Sequence, residues 1–287
     1  MKQLDILSDW KTRDGALATM HGKESVITPV VNAGLGLIIS VPADFDTDRF
    51  GTFTRDVARA GDQLESARAK ARAAMDETGL DLAIASEGSF GSHPSIPFLP
   101  SSLEIVLLVD TKHGIEVMGQ YRSSTTRVQS QAVRTADEAV HIAQSWGFPE
   151  QGVIVRSSKD GARGIYKEIR TIEELRNIST TLLAKWLTRS IFLETDMRAH
   201  RCPARMESIR EATKDLVKNC QSLCPECSTP GFAVTEVIAG LPCRDCTLPT
   251  KLAMELMYAC RKCHHRESTP ATTDTTADPA QCTNCNP

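Results

Sequence analysis

Four Cys-x-x-Cys pairs in the last quarter of the chain constrain its fold more than any other feature of the 287 residues. Two thiolates in such a pair can supply two of the four ligands of a tetrahedral zinc ion. Eight thiolates therefore predict two zinc ions. Four-thiolate sites leave no coordination position for water, so the predicted sites stabilise the fold and do not catalyse a reaction. The pairs are Cys224/Cys227, Cys243/Cys246, Cys260/Cys263 and Cys282/Cys285.

Disulfide bonds and a redox dithiol are the alternatives to zinc. The chain is long for a disulfide-rich secreted domain, and residues 1–14 are charged and have no apolar signal-peptide core. No run of eighteen apolar residues predicts a membrane span. The sequence therefore predicts a reducing, cytoplasmic location. Metal binding is favoured there, because redox Cys-x-x-Cys motifs usually occur singly.

The spacing leaves two ways of pairing the cysteines open. Joining the first pair to the second fits the common zinc-ribbon spacing. However, residues 232–239 have the pattern of one strand, which would hold Cys227 and Cys243 roughly 25 Å apart at about 3.3 Å per residue. If residues 251–258 return antiparallel, the third pair meets the first and the fourth meets the second. The strand geometry favours this interleaved pairing.

Charge argues against a nucleic-acid partner. The net charge is −3, and residues 201–287 carry ten Lys/Arg and ten Asp/Glu, whereas zinc modules that bind nucleic acid usually show a basic stripe.

The length predicts two domains. We expect an α/β domain over residues 1–200 and a helix plus the zinc module over residues 201–287.

Residues 1–200 alternate buried-strand and helical patterns, as expected for an α/β fold with a mixed sheet flanked by helices. Pro29 is expected to stop or kink the first of these helices. Residues 112–114 predict a hairpin turn, and residues 50–53 a loop or lid. The predicted strands are 16–20, 36–41, 80–85, 103–110 and 115–120, and the predicted helices are 63–78, 135–146, 172–189 (with Trp186 on its apolar face) and 204–223.

Two motifs in this domain could bind a ligand. Gly22 and Lys23 lie in a loop that enters a helix, where backbone N–H groups and a lysine can hold a phosphate. Glu87 follows a predicted strand and precedes Gly88, at the edge where open α/β sheets bind ligands. A solvent-exposed lysine and a glutamate in a surface turn are the alternatives.

Residues 194–201 concentrate charges of both signs. On a helix, Glu194 would pair with Arg198, and Asp196 with His200, at a spacing of four residues. The alternative is that this cluster projects into a cleft between the domains and binds an anion or a metal.

Two resemblances follow from these motifs. Residues 18–24 and 194–200, together with the terminal cysteine pairs, resemble an uncharacterised bacterial family, catalogued as a domain of unknown function, over almost the whole chain. Residues 16–125 are similar to the fold of the inosine/xanthosine triphosphatases, which cleave nucleoside triphosphates with magnesium. The similar motifs are His21-Gly22-Lys23, Glu65-Ser66-Ala67-Arg68-Ala69-Lys70-Ala71 and Ser86-Glu87-Gly88.

The second resemblance implies a role for each motif. Lys23, with Gly22, would hold phosphate, and Glu65 and Glu87, beside Gly88, would bind magnesium. Only one carboxylate stands at 86–88, where one branch of that family has two. The leading hypothesis is a magnesium-dependent hydrolase, or a binder, of a nucleotide or phosphorylated small molecule. The alternative is a non-enzymatic zinc protein that binds protein or nucleic acid.

Overall fold

The computed structural model describes residues 5–43, 45, 62–94, 96–126, 128–158, 164–185 and 189–287. The predicted lid at 50–53 and Trp186 lie outside these residues. No helix among the described residues combines the length and the apolar character needed to cross a membrane.

A five-stranded mixed sheet forms the first unit, in the order β2-β1-β3-β4-β5. Strand β1 pairs parallel with β2 and β3, and β3, β4 and β5 are antiparallel to one another. This confirms the predicted mixed sheet and the hairpin turn at 112–114. The strands are β1 (Asp14–Ala18), β2 (Ile38–Ser40), β3 (Leu82–His93), β4 (Ile96–Asp110) and β5 (Ile115–Ser123).

The prediction that β3 ends before Glu87 was wrong. Strand β3 continues to His93, because β4 pairs with it almost to the hairpin tip at Ile96. Glu87 therefore lies inside a strand, opposite Ile105 of β4.

Helices α1 (Ile6–Trp10) and α2 (Glu24–Leu35) pack on one face of the sheet, and α3 (Gln63–Thr78) packs on the other. The bounds of α3 agree with the prediction, and Gly79 ends it with a φ of 70°. Pro29 does not stop α2, which runs on to Leu35. Burial of its apolar face against the core outweighs the hydrogen bond that the proline removes.

A second antiparallel sheet has the order β6-β9-β7-β8, and its buried core includes residues of α4 and α5. The charged segment at 194–201 does not form the predicted helix. Glu194 lies in β9, and Ala199–Arg201 is a single 3-10 turn. The elements are β6 (Ser130–Val133), α4 (Ala136–Ser145), β7 (Val153–Arg156), β8 (Ile165–Tyr166), α5 (Ile172–Lys185) and β9 (Ile191–Thr195).

Helix α6 (Pro203–Gln221) belongs to the core of the first sheet, where Ile209 and Leu216 are fully buried. It crosses β5 so closely that a Cβ at Gly119 would overlap its backbone. The helix leads into a three-stranded antiparallel sheet in the order β10-β11-β12. The strands of this C-terminal module are β10 (Ala233–Ala239), β11 (Ala253–Ala259) and β12 (Arg266–Pro270), in agreement with the two strands predicted there.

Candidate functional site

The eight paired cysteines form two groups, and the interleaved pairing is confirmed. A proximal group next to α6 contains Cys224, Cys227, Cys260 and Cys263, and a distal group contains Cys243, Cys246, Cys282 and Cys285. Neighbouring pairs cannot share an ion, because β10 lies between Cys227 and Cys243. Each group contains four of the eight thiols, and no described cysteine forms a disulfide.

The sulfur positions fit a tetrahedral ion. Cys224 Sγ lies 3.6 Å from Cys263 Sγ, and Cys243 Sγ lies 3.8 Å from Cys285 Sγ. Four sulfurs at about 2.3 Å from a central zinc ion would be separated by about 3.8 Å. Both groups could therefore hold a zinc ion.

The second feature is the point at which the strand order of the first sheet reverses. Strand β1 lies between β2 and β3, with α2 and α3 on opposite faces. Ligands of open α/β sheets bind in the crevice that this reversal leaves at the carboxyl ends of the strands. In this chain the crevice is bordered by residues 19–23, which follow β1, and by Ser86 of β3.

Lys23 lies in this crevice with only 7% of its surface exposed. Its Nζ donates to Ser86 Oγ at 3.0 Å and to the Ser86 carbonyl at 3.4 Å. Among the described residues, no carboxylate lies within 4.0 Å of Nζ. Burial, and then the positive charges of Arg205 and Lys70, lower the Lys23 pKa to about 7. The crevice therefore contains a buried amine with no countercharge in contact.

The loop before α2 is also open to an anion. No side chain caps the helix N-terminus at Lys23. The first N–H groups of a helix have no partner within the helix, and its dipole favours negative charge there.

The two carboxylates predicted to bind magnesium are engaged elsewhere. Glu87 forms a buried ion pair with Lys70 of α3. Glu65 is exposed and completes a capping box, accepting from the Asp62 backbone N–H at 3.1 Å. No group of three metal-ligating side chains in the described chain includes either residue. The structure thus places Lys23 and Glu87 at the same end of the sheet but on opposite faces, because Lys23 bonds Ser86 whereas the next residue, Glu87, pairs with Lys70 of α3. Glu65 lies on the surface.

A buried ion pair lies beyond Ser86 on the same face of the sheet. Glu104 of β4 accepts from Arg205 Nε at 2.7 Å, and both side chains are almost fully buried. Gly88, a predicted ligand-binding residue, makes room for this carboxylate, because a Cβ at Gly88 would lie 2.7 Å from Glu104 Oε2.

The charged 194–201 segment borders the crevice. The His200 ring centroid is 5.1 Å from that of His21, and His200 Nε2 lies 3.1 Å from Glu168 Oε1. Arg198 bonds both Asp196 and Glu168. Burial, and then the charge of Lys23, lower the His21 pKa to about 3, which keeps this ring neutral.

Sequence reasoning missed Lys70, Glu104 and Arg205. Two of them carried a signal: Lys70 interrupts the alanine stripe of α3, and Glu104 interrupts the apolar run of β4. A charge in such a position has to be paired or bound. Arg205 carried no comparable signal, because it stands in the polar first turn of α6.

The fold and the cysteine groups define an α/β protein with a C-terminal metal-binding module. A family model described as a domain of unknown function, DUF6671, matches residues 70–287, about three quarters of the chain, and the chain belongs to this family. The match includes all eight paired cysteines and begins after the Lys23 loop. No curated protein matches the chain.

Proposed function

We propose that the chain is a zinc-stabilised protein that binds a phosphorylated small molecule, such as a nucleotide, at the loop between β1 and α2. The observation that supports it is Lys23, a buried amine at the strand-order reversal with no carboxylate in contact among the described residues. Burying a charge without a partner is costly. A bound phosphate would supply a negative charge beside the amine and so favour its protonated, cationic form.

The surroundings of Lys23 suit an anion and not a cation. The uncapped start of α2 offers N–H groups and the positive end of its dipole. The nearby cations Lys70 and Arg205 are each paired with a carboxylate, Glu87 and Glu104, so the charge of Lys23 itself is the one left for an anion. The crevice opens where doubly wound sheets bind nucleotides.

Zinc has a structural part in this proposal. The thiolates of both groups need a reducing compartment such as the cytoplasm to remain available for metal. We expect two zinc ions per chain by elemental analysis, and about one after Cys282→Ser. Cys220→Ala is the matched control, since Cys220 is buried outside both groups. Wild-type protein without bound zinc would contradict this part.

The binding experiment is calorimetric titration with inorganic phosphate and a panel of nucleoside phosphates. Lys23→Met should weaken binding at least tenfold, because hydrogen bonds to charged groups contribute about 1.5–3 kcal/mol. Lys251→Met removes the same charge from an exposed position and should bind like wild type. Equal affinity of the two variants would remove Lys23 from the site, and absence of any binding would reject the proposal.

Magnesium-dependent hydrolysis is a separate question. The carboxylate of Glu87 pairs with Lys70 and that of Glu65 caps a helix, so both are engaged in contacts that a magnesium ion would have to replace. Turnover of the same nucleotide panel, with and without magnesium, decides whether binding leads to chemistry. Turnover lost in Glu87→Gln would support the hydrolase, and absence of turnover would leave a binding protein.

A further inference from the structure

Two buried oxygen atoms near Lys23 have no hydrogen-bond partner in the described part of the chain. They are Thr19 Oγ1 and Glu104 Oε2. Thr19 is 2% exposed, and Glu104 is fully buried. Leaving a buried acceptor unpaired costs about 1–3 kcal/mol, and more for a charged group. Their position therefore requires an explanation that the ion pair with Arg205 does not supply.

Glu104 belongs to the face of the sheet that carries Lys23, and Thr19 directly follows β1. Ala18 pairs with Ala85, so Thr19 follows β1 beside Ser86, the residue that holds Lys23 Nζ. Glu104 pairs with Gly88, and its carboxylate lies over that glycine. Ser86 and Gly88 face the same side of β3, roughly 6.6 Å apart. A single small molecule could span the distance from Lys23 to Glu104.

The chemistry of these atoms differs from that of Lys23. A carboxylate oxygen accepts hydrogen bonds only, and a threonine hydroxyl can both accept and donate. A phosphate without protons would be repelled by Glu104. A hydroxyl or amino group would satisfy it.

We infer that the ligand held at Lys23 carries a hydroxyl or amino group a few bonds from its phosphate, and that Glu104 Oε2, assisted by Thr19 Oγ1, accepts a hydrogen bond from that group. The inference rests on the proposed function. It narrows the ligand from any phosphorylated compound to phosphorylated polyols, sugars or amines. Glu104 is then a specificity-determining residue, and Gly88 makes room for it.

Matched pairs of small phosphates test this inference in calorimetric titrations. Glycerol 3-phosphate is compared with n-propyl phosphate, and phosphoethanolamine with ethyl phosphate. In at least one pair, the member with the hydroxyl or amino group should bind the wild-type chain at least tenfold more tightly than the other member, as expected for a hydrogen bond to a buried charged acceptor. Equal affinities within both pairs, in a protein that binds inorganic phosphate, would overturn the inference and leave the proposed function standing.

The variant experiment measures the affinity ratio within each pair, which cancels any shared change in phosphate binding. Glu104→Gln and Thr19→Val should each lower the ratio, the first to below about threefold. Glu207→Gln, an exposed change on α6, should keep the wild-type ratio. If Glu104→Gln does not fold, Thr19→Val and the wild-type ratio decide. A ratio unchanged in every folded variant would overturn the assignment, and failure of inorganic phosphate to bind would reject the proposed function itself.

Discussion

Both ends of the five-stranded sheet bury charged side chains, but they differ in how those charges are paired. At the amino end of β1, the fully buried Asp110 accepts from Trp10 Nε1 and from Arg13 Nη1, each at 2.7 Å. Arg13 also pairs with Asp9 and Asp81. At the other end, Lys23 contacts no carboxylate among the described residues, and Glu104 Oε2 has no partner there.

The difference separates a structural network from a candidate binding site. Buried charges that stabilise a fold are paired and hydrogen-bonded, as those around Asp110 are. Unpaired polar groups in a core cost stability, and a bound ligand is one of the explanations for them. The following predictions test whether the two ends differ in this way.

The largest effect is expected for Asp110→Asn. It leaves the Arg13 guanidinium without its buried countercharge, and breaking a buried pair costs about 3–5 kcal/mol. Urea unfolding measures the change. Asp81→Asn, which removes a half-exposed partner of the same arginine, should cost below about 1 kcal/mol. Similar losses in the two variants would mean that the Asp110 network is not the structural one.

A smaller loss is expected for Gly88→Ala. The new methyl group would lie 2.7 Å from Glu104 Oε2, and overpacking of a core typically costs about 1–3 kcal/mol. Gly91→Ala is the control, because it lies in the same strand with open space at its Cβ position. Equal stability of the two variants in urea would show that the Glu104 carboxylate can move away.

Lys23→Met should leave the free energy of unfolding unchanged or raise it by about 1 kcal/mol. Replacing a buried charge with an apolar side chain of similar length is often neutral or stabilising. Urea unfolding without phosphate measures this change. A loss above about 2 kcal/mol would mean that Lys23 is structural, as Arg13 is.

The two ends should also differ in the pH window over which stability rises, which is acidic for Asp9 and alkaline for Lys23. Hydrogen bonds from Lys112 and His113 lower the Asp9 pKa to about 2, so its stabilising contribution is present above pH 4 and is lost as the pH falls towards 2. The Lys23 pKa is lowered from 10.5 to about 7. Between these two values the unfolded chain binds the proton more tightly, so stability rises with pH over this window.

Chemical denaturation at several pH values, with Asp9→Asn and Lys23→Met as references, isolates the two contributions. The wild-type chain should gain stability relative to Lys23→Met between pH 7 and 10. It should lose stability relative to Asp9→Asn below pH 4. A flat difference for Lys23 would show that its amine stays charged in the folded chain.

The parts of the fold that depend on local spacing were predictable from the sequence. The cysteine pairing followed from the length of one strand, and the bounds of α3 followed from its composition and Gly79. The capping role of Glu65 was not anticipated, because Asp62-x-x-Glu65 fits a helix cap as well as it fits a metal motif.

The parts that depend on distant contacts were not predictable. Glu104 and Arg205 are 101 residues apart, and no periodicity relates them. Glu87 was expected at a strand end because its pairing with β4 leaves no local mark in the sequence. The position of Lys23 at the start of α2 was predictable, since its loop and helix are contiguous, and its role in binding stays a prediction.

Helix α6 connects the five-stranded sheet to the C-terminal cysteine module. Its 19 residues span about 28 Å and are stiff over that distance. The first turn carries Arg205 against Glu104, and the chain passes from the last turn to Cys224 within three residues. One helix, packed in the core of the first sheet, therefore connects the proximal cysteine group to the residue that pairs with Glu104.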